Sequence, residues 1–286
     1  MSNYGHGSNG SQNPDVWTRA GHTHQLFQGA ADSVPARVKI DLLGITVDPM
    51  RADQIVEVVL DAVAVGRSLW ISNFNLHAAY LYNSEPTFKA HSDSADLHVI
   101  DGWPILVAAR CSSGITYPAS FRVGSSDWLE LLFASRTEIE VVAIGASSLS
   151  SRKAASLIND KFGCVTWRSF DGFDLQKTDD LDGPVRWEEA VAQSTLVLVG
   201  MGMPHQEQWI VDNRHLLEGK VIANIGGCID YISGEQELAP RWLGNYGLEW
   251  AYRLVRSPRR LSHRYLIEPL LLIRLIIQHR RRGSAV

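Results

Sequence analysis

Four short stretches of this 286-residue chain set polar side chains directly behind apolar runs: "SNFNLH", "VIDGWP", "VGMGMPHQEQW" and "GGCIDY". Asp101 follows the apolar run of the second and precedes a glycine. It reads either as a turn or helix-cap aspartate or as a general base. Moving a sugar onto a hydroxyl requires a carboxylate to accept the hydroxyl proton as the new bond forms. Asn73 and Asn75 offer paired amides, suited to hydroxyl ligands or to local backbone capping. His77 falls inside the next helix and reads as structural. Gly200 and Gly202 leave room for close backbone approach. Behind Pro204, Gln206 and Glu207 occupy a first helical turn, where they suit sugar hydroxyls; Glu207 equally suits a helix N-terminus. Trp209 reads as packing. Asp230, three residues past Gly227, either meets substrate or ties its loop.

Two further segments bear on anion binding. In "VAIGASSLS" the turn at Gly145 leads into a helix whose first amides suit phosphate. Only one glycine is present, so it is neither a Walker loop nor a dinucleotide fingerprint. Ser147 and Ser148 would cap that helix equally well. In "RVGSSDW", Arg122 has the planar fork that grips phosphate, or it forms a surface ion pair. There is no G-x-S-x-G elbow and no H-E-x-x-H zinc motif. No metal or other cofactor is expected; if the substrate is a sugar nucleotide, side chains such as the arginines of the tail offset the leaving-group charge.

The elements that carry these residues follow from periodicity. Apolar strands ("SLWISNFN", "ADLHVI", "EIEVVAIG", "STLVLVG", "KVIANIGG") alternate with stretches of helical spacing such as "ADQIVEVVLDAVAV". This order predicts an α/β fold: a Rossmann-like, mostly parallel sheet flanked by helices. Ligands bind beyond the carboxyl ends of such strands, where the polar stretches lie. Residues 1–35, rich in Gly, Ser, Asn and His, are expected to be disordered. Residues 36–240 form the α/β domain, and 241–286 a basic C-terminal helical appendage.

Charge is divided along the chain. The formal net charge is −4, yet residues 251–286 hold nine arginines and one acid, Glu268, for +8, leaving −12 elsewhere. A basic end on an acidic body points to an anionic partner. No zinc-finger spacing, helix-turn-helix signature or aromatic RNA motif is present, so nucleic acid is not the expected partner. Leucines and isoleucines among the arginines suit a lipid surface. The apolar run is broken by Glu268 and Arg274 and falls short of the roughly 20 residues that cross a bilayer. As a helix from Ile267, it sets Arg274, Gln278 and Arg281 on one stripe, with Leu272, Leu275, Ile276 and Ile277 over much of the rest. Leu272, Arg274, Ile276, Arg280, Arg281 and Arg282 are the expected membrane contacts. The competing expectation is packing against the body or a second copy in a homo-oligomer. Three scattered cysteines form no disulfide framework.

"DGWP", "VGMGMPHQEQWI", "GGCIDYISGE", "GLEWAYRL" and "SPRRLSHRY", in this order and spacing, resemble the bacterial WecG/TagA/CpsF glycosyltransferases, glycosyltransferase family 26. The resemblance runs from "LLGITVD" to Tyr265. It implies an inverting, metal-independent enzyme with a UDP-sugar donor and a polyprenyl-diphosphate-linked saccharide acceptor. The work would be done peripherally at the cytoplasmic face of the bacterial inner membrane, in surface or exopolysaccharide biosynthesis. It places the base on Asp101 and the asparagine after the second strand on Asn75, with Asn73 two residues before. The glycine turn falls at Gly145, and the "P.QE.W" motif on Pro204, Gln206, Glu207 and Trp209. The family's appendage closes over the site, bringing arginines to the diphosphate; Arg256, Arg259 and Arg264 stand in that segment. Arg122, Gly202 and Asp230 complete the expected binding set. Gly124-Ser125 and Ile229 depart from the usual pattern. N-acetylmannosamine, its uronic acid and glucose all remain open as the sugar. Other classes compatible with the residues alone are a nucleotide-sugar-binding protein without turnover and a nucleic-acid binder using the arginine tail.

Overall fold

Strands with no polar alternation must be buried on both faces. Leu69–Phe74 (β3) is such a run, and all six of its residues are buried. The structure, a computed structural model, describes residues 36–173, 185–237, 239–240, 243 and 247–283; the segment 1–35 lies outside the described residues. A small antiparallel hairpin of β1 (Val38–Ile40) and β2 (Ile45–Val47) precedes the main sheet. The other strands are β4 (Leu97–Ile100), β5 (Ile139–Gly145), β6 (Val165–Phe170), β7 (Leu196–Gly200) and β8 (Val221–Asn224). With β3 they form one six-stranded sheet of order β4-β3-β8-β7-β5-β6. Every neighbouring pair is parallel.

Helices cover both faces. α1 (Ala52–Ala64) buries Ile55, Val56, Val59 and Ala62 at helical spacing, and the Arg51 N–H donates to Gln54 Oε1 at 3.0 Å to close its first turn. α2 (Leu76–Ser84) and α3 (Pro86–Ser92) break at Pro86, as expected from the sequence. α4 (Trp103–Ser113) opens with Pro104 and stops at Gly114, which takes the left-handed conformation that favours glycine. α5 is Ser125–Ala134, α6 Ser148–Lys161, α7 Trp187–Gln193, α8 His205–Asp212 and α9 Cys228–Ser233. One core cluster joins the hairpin, α2 and α4; another lies between β5, β7, α7 and α8. Sequence periodicity did not single out β6, α5 or α7. β6 is an edge strand whose pattern is diluted by Thr166 and Arg168.

The C-terminal helices are α10 (Glu249–Arg256), α11 (Pro258–Ser262) and, after one π turn, α12 (Glu268–Gly283). They carry the basic residues expected of an appendage. Two of the expected membrane contacts, Leu272 and Ile276, lie against the body. Leu272 is 2% exposed and sits in the core cluster with α2, and Ile276 packs against the same cluster. A fully buried leucine contributes roughly 1.5–3 kcal/mol, so this face of α12 belongs to the body. Arg274 and Arg281 are exposed, while the side chains of Arg280 and Arg282 lie outside the described residues. Leu266, Leu270, Ile273 and Ile277 are also exposed, at helical spacing. Among the described residues, no helix is long and apolar enough to cross a membrane.

Candidate active site

Neighbouring parallel strands release their chains side by side. Phe74 of β3 pairs with Ile100 of β4, so the next residues, Asn75 and Asp101, emerge together. The Asp101 N–H donates to the Phe74 carbonyl at 2.8 Å. Asn75 caps α2, its Oδ1 accepting from the Ala78 N–H at 3.1 Å, and its Nδ2 donates to Asp101 Oδ2 at 3.4 Å. Arg122 is brought alongside because the Val123 N–H donates to the Ile100 carbonyl at 2.8 Å. The appendage closes the other side. Together they enclose a cavity of about 220 Å³ whose lining includes Asn75, Asp101, Arg122, Trp250, Arg253 and Arg264.

Burial pushes the Asp101 carboxyl up to about 6, against the pull of Arg253, the Asn75 hydrogen bond and Arg122; Glu249 adds to the rise. A carboxyl poised there is largely ionised at neutral pH yet still basic enough to take a proton. Three guanidiniums share the cavity. Arg122 Nη1 donates to Glu249 Oε2 at 3.2 Å. Arg253 sits 5.3 Å above the Tyr231 ring, and its Nε is buried with no partner among the described residues. Burial works against its charge, but Tyr231, Tyr265, Asp101 and Glu249 prevail and raise its pKa. Arg264 reaches Asn75 Oδ1 at 3.5 Å, the outer limit of a hydrogen bond.

The other expected residues go elsewhere. Arg256 is exposed and pairs with Glu237; Arg259 is exposed; neither lines the cavity. Asn73, Gln206 and Glu207, expected as sugar-hydroxyl ligands, are all buried and hydrogen-bonded to neighbouring protein groups. Asn73 Nδ2 donates to Ser125 Oγ at 2.9 Å and to the Asn224 carbonyl at 2.8 Å. Glu207 Oε1 accepts from Gln206 Nε2 and Asn224 Nδ2, each at 2.8 Å. Gln206 Oε1 accepts from the Gly226 N–H at 3.3 Å. Burial raises Glu207 to about 7, opposed by those two amide donors and by a backbone hydrogen bond. Asp230 also leaves the site: its carboxylate accepts from Ser150 Oγ at 2.7 Å and Gln236 Nε2 at 2.9 Å, which ties α9 to α6.

A second surface lies at the ends of β6, β5, β7 and β8, where Gly172, Gly145, Gly200 and Gly226 stand in a row. A Cβ on Gly145 would fall 2.5 Å from the Gly200 backbone, and one on Gly200 would fall 2.7 Å from the Gly226 carbonyl. The row leaves bare backbone beyond the strand ends. Ser147 caps the adjoining α6. Gly202 adopts the left-handed conformation that favours glycine, with open space where a Cβ would stand.

Sequence reasoning missed Glu249, Trp250 and Arg253. A signal existed: Glu249 and Arg253 are four apart in α10, on one face, where a carboxylate and a guanidinium can be presented together. Among the described residues, no group of three or more His, Cys, Asp or Glu side chains is placed to hold a metal ion.

The family model described as "Glycosyl transferase WecG/TagA/CpsF family" matches residues 40–285. The chain belongs to the WecG/TagA/CpsF glycosyltransferase family. Members related to it include an N-acetylglucosaminyldiphosphoundecaprenol N-acetyl-beta-D-mannosaminyltransferase of Staphylococcus aureus (strain MRSA252). It is 23% identical over 229 residues, covering 78% of this chain and 87% of the relative. A protein of the same name in Bacillus subtilis (strain 168) is 42% identical over 71 residues, a local match covering 25% of this chain and 28% of that one. This WecG/TagA/CpsF member thus carries its cavity between the β3–β4 end of the sheet and the appendage.

Proposed function

We propose that the chain transfers a sugar, with inversion, from a UDP-sugar to a polyprenyl-diphosphate-linked saccharide. The observation that carries this reading is one cavity holding a carboxyl raised to about 6 and three guanidiniums. The Asp101 carboxylate takes the proton of the acceptor hydroxyl. The freed electron pair forms the bond to the anomeric carbon, and the bond to the donor's β-phosphate oxygen breaks on the opposite side. UDP leaves with the electron pair of the broken bond. Arg264, one of the three arginines expected there, and Arg253, in place of Arg256 and Arg259, offset its charge with donors already in position. The glycine row accepts the nucleotide end of the donor, since bare backbone at strand ends allows close approach. N-acetylmannosamine is the sugar to test first, because the relatives' names carry it.

The acceptor's lipid stays in its bilayer, so the enzyme must come to it. Leu266, Leu270, Ile273 and Ile277, bordered by Arg274 and Arg281, form the lipid-facing stripe at the cytoplasmic leaflet. Near an anionic surface each arginine contributes about 1 kcal/mol. A panel of UDP-sugars with a synthetic lipid-diphosphate acceptor tests the whole reading. Release of UDP with one donor, lost in Asp101→Asn while UDP binding persists, is the expected result. Full activity in Asp101→Asn would remove the base.

A further inference from the structure

Glu268 is the single acid of the last 36 residues, and it is one of the residues of α12 that the body buries. Its side chain is 8% exposed. Oε2 lies 2.5 Å from His77 Nδ1 and Oε1 lies 3.3 Å from His263 Nδ1. His77 belongs to α2 and lines the cavity. Four residues before Glu268 stands Arg264, whose guanidinium reaches the cap of the same α2, Asn75. Glu268, Leu272 and Ile276 follow one another at intervals of four along the face that meets α2.

We propose that Glu268 is a positioning residue: through His77 it fixes the axial register of α12 on α2, and so holds Arg264 against Asn75 beside Asp101. The inference rests on the proposed transfer reaction for its catalytic consequence, but not for the contact itself. An apolar seam such as Leu272 and Ile276 on α2 gives affinity with little sense of position. It tolerates a slide by one turn, because leucine and isoleucine recur along the helix. A buried carboxylate does not, since a slide leaves it without a partner. Polar groups within apolar helix contacts set register in this way in coiled coils. One turn is about 5.4 Å, enough to carry Arg264 out of reach of Asn75. The arrangement gives the interruption of the amphipathic pattern by Glu268 a purpose.

The test uses the full chain with His77→Ala, Glu268→Ala, the double variant, and His77→Asn, whose amide N–H stands near the lost Nδ1. Two readouts are taken: hydrogen exchange of the α12 amides without substrate, and kcat for UDP release with the lipid-linked acceptor. Each alanine variant is expected to speed exchange across 268–276 and to lower kcat about tenfold. The double variant is expected to match the singles rather than multiply them. His77→Asn should recover most of both. Binding to anionic vesicles should stay unchanged, since the exposed stripe faces away from α2. Wild-type exchange in Glu268→Ala, or multiplying effects in the double variant, would overturn the proposal. If the wild-type chain releases no UDP with any donor, the transfer reading fails, while the exchange data still judge the pairing.

Discussion

The two halves of the sheet end in opposite ways. Across β8, β7, β5 and β6 the strand ends are closed by glycine backbone, and the nearby polar side chains are bonded to one another. Across β4 and β3 the strands release Asp101 and Asn75 into a cavity whose other walls come from the starts of α2 and α4, from Arg122 and from residues within 247–265. The first half is a rigid platform made by close packing. The second is an assembly of side chains from distant sequence, brought together by docking. In the proposed reaction the platform takes the nucleotide end of the donor, and the assembled cavity takes the chemical step.

The sharpest way to break this contrast is Asp101→Asn. It should lower kcat about a thousandfold in steady-state assays and leave UDP affinity, measured by calorimetry, near the wild-type value. In the wild-type enzyme kcat/KM should fall as pH drops through about 6, where the Asp101 carboxyl takes its proton. On the platform side the large effects should be on folding. Glu207 has a folded pKa raised to about 7 against an ordinary 4.5. Its protonated form therefore supports the fold fully below about 4.5, and that support is lost as pH rises through about 7. Glu207→Gln should remove a pH dependence on the order of 3 kcal/mol from denaturant unfolding between pH 5 and 8. Gly200→Ala should cost about 2–3 kcal/mol in the same assay, because its Cβ meets the Gly226 carbonyl at 2.7 Å. Trp250→Ala, on the half-exposed cavity wall, should cost under about 1 kcal/mol of stability and raise the acceptor KM. Equal stability losses at Gly200 and Trp250 would erase the distinction. The smallest effect belongs to the tail: Ile273→Ala should weaken vesicle binding by roughly 1 kcal/mol without shifting unfolding, whereas Leu272→Ala should destabilise the fold.

Much of this was legible in the residues. Apolar runs gave the strands, and their polar ends gave Asp101 and Asn75; Arg122 came from the separate stretch "RVGSSDW". Side-chain exposure was the part that periodicity left open. Asn73 and Gln206 carry the same chemistry as Asn75, and only the neighbouring elements decide that their amides are spent internally. The appendage shows the same limit. A helix of leucines and isoleucines has more than one apolar face, and the sequence did not say that Leu272 turns inward while Ile273 turns outward. Arg253 was overlooked among nine arginines because its distinction lies in its neighbours, Tyr231 and Asp101.

The glycine row also bears on how the enzyme can be altered. Gly145, Gly200 and Gly172 are already the smallest residues available, and each blocks enlargement of the next. A mutant library built on that shelf would consist mainly of destabilised chains. Residues such as Trp250, added from outside and replaceable one at a time, are where a change of acceptor preference can be selected.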